Sequence, residues 1–142
     1  MTEGAFAAIM MDLVSGTPKI LLLLRTDSPE WNLPGGRALE GETSEITVIR
    51  ETKEETELDV IPLRQIGGDH KMTNDEGEVI DIARLFLCRV VGGELKNTTE
   101  SKQQGWFSLS DLDKIKIVKR ATKDYPEGRT IAMIKDALKE YA

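Results

Sequence analysis

The chain has 142 residues, enough for one ordinary domain with a single core, and its 39% apolar share is normal for a globular protein in water. Nineteen basic against 25 acidic side chains leave a formal net charge of −6, which argues against a general binder of nucleic-acid backbone. The longest apolar stretch, Ala5 to Met11, falls far short of the ~18–20 residues of a membrane helix. The N-terminal Met-Thr-Glu-Gly lacks the basic region that opens a secretory signal. One cysteine, Cys88, excludes an internal disulfide and suits a reducing compartment. The expectation is one cytoplasmic domain over residues 1–142, with neither a membrane nor a nucleic-acid partner.

Apolar β-type runs alternate with polar segments. Ala5 to Leu13 and Lys19 to Leu24 read as strands flanking a turn at Ser15-Gly16-Thr17-Pro18, the pattern of a hairpin. Asp27 to Arg37 holds Pro29, Pro34, Gly35 and Gly36 and reads as loop for most of its length. Thr43 to about Glu57 contains no Gly or Pro and reads as a helix, with Thr43 or Ser44 as its cap. Val60 to Ile66 reads as a short strand, Asp69 to Gly77 as a polar turn, and Val79 to Val91 as a long apolar run closed by Gly92-Gly93. Gln104 to Leu109 gives a further strand. Ile131, Ile134, Leu138 and Tyr141 share the spacing of one helix face. The fold class is mixed α/β.

The segment Gly36 to Leu58 carries the chemistry. Glu51, Glu54 and Glu55 stand at i, i+3 and i+4, so a helix presents three carboxylates on one face. Each like-charge pair costs about 0.2–0.5 kcal/mol in an exposed helix. Their place in its C-terminal half, where the macrodipole disfavours anions, adds to the conflict. A hard divalent cation (Mg²⁺, Mn²⁺ or Ca²⁺) removes it. Arg50 precedes Glu54 by four residues, the weaker order for a helix pair, which suits it better to holding a glutamate with its fork of donors. Pro34-Gly35-Gly36 supplies a bare backbone that a metal or phosphate can approach closely.

Gly36, five residues, Glu42, seven residues, then Arg50-Glu51-Thr52-Lys53-Glu54-Glu55-Thr56-Glu57-Leu58 resembles the signature box of the Nudix hydrolases (MutT-like). Trp31-Asn32-Leu33-Pro34-Gly35-Gly36 resembles the family's approach to the box, and Gly92-Gly93-Glu94 and Trp106-Phe107 its later strands. Two positions depart: Thr52 replaces an apolar residue, and Glu57 replaces a helix-ending glycine at a cost of roughly 1 kcal/mol. The resemblance implies an α/β/α sandwich with a mixed sheet and a loop–helix–loop motif, and hydrolysis of a nucleoside diphosphate linked to a group X. It implies Glu51, Glu54 and Glu55 as Mg²⁺ ligands (Mn²⁺ as substitute), with a backbone carbonyl at Gly35 or Gly36, and Arg50 and Glu42 as braces. The general base is a box glutamate, Glu51 first, or the loop acid Glu100. A homodimer is in keeping with the family.

Beside the box, Trp31 and Arg37 are the substrate-binding candidates, for base stacking and phosphate contact, with Arg25 and Lys71 as charged surface by default. His70 reads as a surface residue and Cys88 as core. Trp106 and Phe107 point to opposite faces of their strand. The leading function is cleavage of a nucleoside triphosphate to monophosphate and pyrophosphate. The alternatives are an ADP-sugar or dinucleoside polyphosphate hydrolase and, in another class, a catalytically silent nucleotide-binding module.

Overall fold

The computed structural model describes residues 1–11 and 16–140. Two sheets lie between two helices. The first sheet has the order β4-β1-β6-β5, from β1 (Thr2–Ala8), β4 (Gly35–Arg37), β5 (Leu58–Thr73) and β6 (Val79–Gly93). It is mixed, because β1 runs parallel to β6 while the other pairs are antiparallel. The second has the order β3-β2-β7, from β2 (Ile20–Arg25), β3 (Trp31–Asn32) and β7 (Ser101–Phe107), all antiparallel. The helices are α1 (Ser44–Thr56) and α2 (Arg129–Glu140). Neither is long and apolar enough to cross a membrane.

Alternation along β2 explains the two cores. Ile20 and Leu22 face one way, into a cluster with Ala8, Ile66, Leu85, Met133, Ile134 and Leu138 under α2. Leu21 and Leu23 face the other way, into a cluster with Ala5, Ala7, Val48, Phe86 and Cys88 under α1. Cys88 is buried there, and burial pushes its thiol up to about 12. Phe107 joins the first cluster and Trp106 the second, on opposite faces as the strand period requires.

Several elements differ from the sequence expectation. β1 and β2 do not form a hairpin sheet. They belong to different sheets and touch through the bridge Met10–Ile20 and the bond from Leu21 N–H to Ile9 O at 3.0 Å. The hydrophobic period cannot distinguish a hairpin from a chain crossing between layers. The expected end of the first strand at Leu13 and the turn residue Ser15 lie outside the described residues, as does Tyr141. Asp69 to Thr73 is strand, not turn, and only Asn74 to Gly77 turns: the Asn74 side chain accepts from Glu76 and Glu78 N–H, and Gly77 has φ 82°. Short strands β3 and β4 occupy part of the expected loop before the box. Leu109 opens a short 3₁₀ helix to Lys114 rather than ending a strand.

α1 is capped by the Thr43 hydroxyl, which accepts from Ile46 N–H at 3.2 Å. Its buried face is mostly threonine: Thr47, Val48, Thr52 and Thr56. Thr52 is fully buried on this face, and its hydroxyl oxygen has no hydrogen-bond partner among the described residues. Glu57 ends the helix with φ 66° and ψ 9°, and is the one non-glycine residue with positive φ among those described. Glu57→Gly is therefore expected to stabilise the fold by about 1 kcal/mol. That corresponds to a rise of roughly 2–4 °C in Tm, read by thermal denaturation.

Candidate active site

α1 turns Glu51 and Glu55 toward β4, one helical turn apart. Gly35 N–H donates to Glu55 Oε1 at 2.7 Å. A Cβ on Gly36 would stand 2.7 Å from the Glu51 carboxyl carbon, and one on Gly35 only 2.3 Å from Ala5 O. Both glycines are thus steric requirements of the site, and Gly35 adds a φ of 147°.

Glu100 arrives from the loop before β7. Carboxylate oxygens of Glu51, Glu55 and Glu100 lie within 4.8 Å of one another. The loop is fastened to the end of α1: Ser101 Oγ donates to Glu55 O at 2.7 Å, Thr98 Oγ1 to the same oxygen at 3.4 Å, and Lys96 N–H to Thr56 O at 3.0 Å. These bonds satisfy carbonyls that a helix C-terminus leaves open. Glu54 is exposed and stands outside this cluster, with both its oxygens 3.3 Å from Arg50 Nη1.

Arg50 organises the acids. Its Nε and Nη2 grip Glu42 at 2.7 and 2.9 Å, a bidentate pair, and its Nη1 reaches Glu51 at 3.1 Å. Arg50 Nη2 also donates to Arg37 O at 3.2 Å, tying α1 to β4. Arg50, with the Leu39 N–H and the Thr47 hydroxyl, holds the Glu42 carboxyl down to about 2. Arg50→Lys keeps the charge and loses the fork. It is expected to lower activity or metal affinity roughly 10–100-fold, as loss of an outer-sphere support does. Steady-state kinetics with a metal titration reads this.

The cluster carries an electrostatic conflict. Burial, then the charges of Glu51, Glu100 and Glu54, push Glu55 up to about 8 against the pull of Gly35 N–H. Burial also raises Glu51, with Arg50 opposing. Three converging carboxylates, one of them resisting ionisation for want of a counter-charge, fit a hard divalent cation. The donor set is all oxygen, as Mg²⁺ or Mn²⁺ prefers.

A cleft of about 430 Å³ opens beside the cluster. Glu55, Glu100, Gly35, Gly36 and Arg37 line it at this end, and Arg25 does so while paired to Asp27 at 2.7 Å. Trp31 is not among the lining residues. Its ring packs edge-on against Phe107, centroids 4.8 Å apart, with the core under α2. His70 is 3% exposed, not on the surface, with Nε2 3.0 Å from Asp136 Oδ2 and Nδ1 without a partner among the described residues. The sequence reading missed the cleft residues Phe6, Asp81, Arg129 and Met133. Asp81 had a signal, an acid interrupting an apolar strand; Arg129, at the start of α2, had none.

Converging carboxylates beside a glycine backbone at the wall of a cleft could hold a divalent cation against a phosphate. A family model of the NUDIX domain matches residues 3–127. The chain belongs to the Nudix family, and it is a phosphoanhydride hydrolase. It is 35% identical over 125 residues to an ADP-ribose pyrophosphatase of Methanocaldococcus jannaschii, covering 83% of this chain and 72% of that one. It is 31% identical over 130 residues to a putative 8-oxo-dGTP diphosphatase of Bacillus subtilis, covering 89% and 81%. The crystal structure of an ADP-ribose pyrophosphatase from Streptococcus suis matches with a TM-score of 0.64 and 26% identity, over 98% of this chain and 90% of that one.

Proposed function

We propose that the chain is a cytoplasmic, Mg²⁺-dependent pyrophosphohydrolase that cleaves a nucleoside triphosphate to the monophosphate and pyrophosphate, with Mn²⁺ as a substitute ion. The observation that carries this is the convergence of Glu51, Glu55 and Glu100, the last two of which line one cleft of about 430 Å³. The ion pair of Arg129 with Asp81 lines the same cleft, whose volume of about 430 Å³ is of the size that one nucleotide fills.

Glu51, Glu55 and the Gly36 carbonyl would hold the cation, with Glu54 beside them on Arg50. When bound, it neutralises phosphate oxygens and acidifies a water molecule. The chain's own residues supply the rest. Arg50 fixes the rotamers of Glu42 and Glu51. The glycine floor admits the phosphates, and Arg37 meets them from the rim. Glu100 takes the proton from the attacking water at its carboxylate. It is favoured over Glu51 because it lines the cleft, while the Glu51 carboxylate is hydrogen-bonded by Arg50 at 3.1 Å.

Cleavage of an ADP-sugar is the second reading. It is favoured by the likeness to two proteins named ADP-ribose pyrophosphatase, from M. jannaschii and S. suis. The test is a panel of nucleoside triphosphates and ADP-ribose, with Mg²⁺ or chelator, the products separated by chromatography. Monophosphate and pyrophosphate from a triphosphate support the first reading. AMP and ribose 5-phosphate, formed faster than any triphosphate is cleaved, establish the second. No turnover of any member removes both readings and leaves a dinucleoside polyphosphate or another phosphoanhydride as the substrate.

A further inference from the structure

The cleft has a second polar end that hydrolysis does not use. Strand register gives its distance from the acids: Gly35 lies beside Phe6, and Asp81 beside Thr2. These are four residues apart on β1, or about 13 Å at ~3.3 Å per residue. Gly4 and Phe6, both lining the cleft, lie along the same strand. At the far end Asp81 accepts the Thr2 hydroxyl on one oxygen, and its other oxygen lies 2.6 Å from Arg129 Nη2. Arg129 is 6% exposed and spends an Nη1 hydrogen on the His70 carbonyl at 3.4 Å. A guanidinium has five N–H groups, so donors remain for whatever fills the cleft. Phe6, Leu23, Leu33, Val118 and Met133 supply apolar surface between the two ends, as a flat ring requires.

A largely buried ion pair contributes little to stability on balance, since desolvation offsets the attraction. Its place in the lining of the cleft, away from the acids, gives it another use. We infer that Arg129 and Asp81 are the specificity-determining residues for the nucleobase, and that together they select a 6-keto purine over a 6-amino purine. This rests on the nucleotide reading above and narrows it. Arginine only donates and an ionised aspartate only accepts. A 6-keto purine presents the matching pair side by side, O6 as acceptor and N1–H as donor. Adenine reverses both, with an amino donor facing the guanidinium and a bare N1 facing the carboxylate. Reversal sets donor against donor and acceptor against acceptor, the mismatch by which a hydrogen-bonding site discriminates.

The experiment measures binding of GMP, IMP, AMP and 2,6-diaminopurine riboside monophosphate to the unaltered chain by calorimetry, with kcat/KM for the matching triphosphates in parallel. GMP and the diaminopurine nucleotide differ only at position 6 and in the N1 proton that goes with the keto group. GMP and IMP are expected to bind roughly 10–100-fold more tightly than the two 6-amino nucleotides, the scale of one well-placed pair of base contacts. The preference is expected in KM rather than kcat. Arg129→Lys, which keeps the charge beside Asp81 and loses the planar fork, should shrink the preference to about 3-fold or less. Equal binding of the four, a preference for AMP, or no binding of any overturns the inference, as does a folded Arg129→Lys protein with the preference intact. If that variant does not fold, the nucleotide series on the unaltered chain decides alone. Keto preference in binding without triphosphate hydrolysis upholds the inference and removes the triphosphate reading, so the two failures are distinguishable.

Discussion

Glu55→Gln is expected to lower kcat by roughly 10²–10³-fold or more, the scale of losing one preorganised electrostatic element at a reacting centre. The amide keeps the volume and can still accept from Gly35 N–H, now at 2.7 Å, so the fold should survive. What it loses is the negative charge at the point where Glu51 and Glu100 converge. Activity and Mg²⁺ affinity should therefore fall together. Glu54→Gln is also expected to reduce activity, but by less, because Glu54 is exposed and stands outside the cluster, on Arg50. Circular dichroism confirms folding, and a magnesium titration of kcat separates the two variants. A Glu55→Gln enzyme with more than about a tenth of wild-type activity would remove this residue from the mechanism.

The second large effect is on stability. In the metal-free chain the Glu55 carboxyl, raised to about 8, keeps its proton over a range where the unfolded chain, near the ordinary 4.5, has lost it. The folded state binds the extra proton, so stability falls as pH rises. The contribution is fully present below about pH 4.5 and is gone once the pH has passed about 8. The limiting slope is about 1.4 kcal/mol per pH unit, a few kcal/mol across the window. Melting curves in chelator at pH 5, 6.5 and 8 should show a falling Tm that Glu55→Gln flattens and Mg²⁺ at pH 8 restores. Equal pH dependence in the two chelated proteins would mean that Glu55 is not buried as described. Glu42 has the opposite sign, its carboxyl being held down to about 2. The stability it contributes is present above pH 4.5 and lost in strong acid, outside this window.

The site was readable where its geometry is local. The i, i+4 spacing of Glu51 and Glu55 sets them one helical turn apart by helix pitch alone, whereas Glu54, at i+3, is exposed and outside the cluster. The lack of glycine at Glu57 announced the strained exit that φ 66° displays. Glu100 could be named as a candidate, but only the bonds from Ser101 and Thr98 to the Glu55 carbonyl bring it in. Non-local pairing was not readable. Ala5 lies between Gly36 and Arg84, partners far apart in sequence, and no pattern within β1 reveals them. His70 was misplaced for a specific reason. Gly67 and Gly68, at φ 73° and 66°, sit where the β5–β6 register shifts, and this interrupts the alternation that would otherwise mark Ile66, His70 and Met72 as one inward-facing row. The distal Arg129–Asp81 pair joins a helix start to a strand interior and exists only once the chain has folded.

The fastening of the 96–101 loop to the last carbonyls of α1 has a mechanical consequence. Because Glu100 hangs from the same peptide groups that carry Glu55, a tilt of the helix drags both acids in the same direction, and the aperture between them keeps its width.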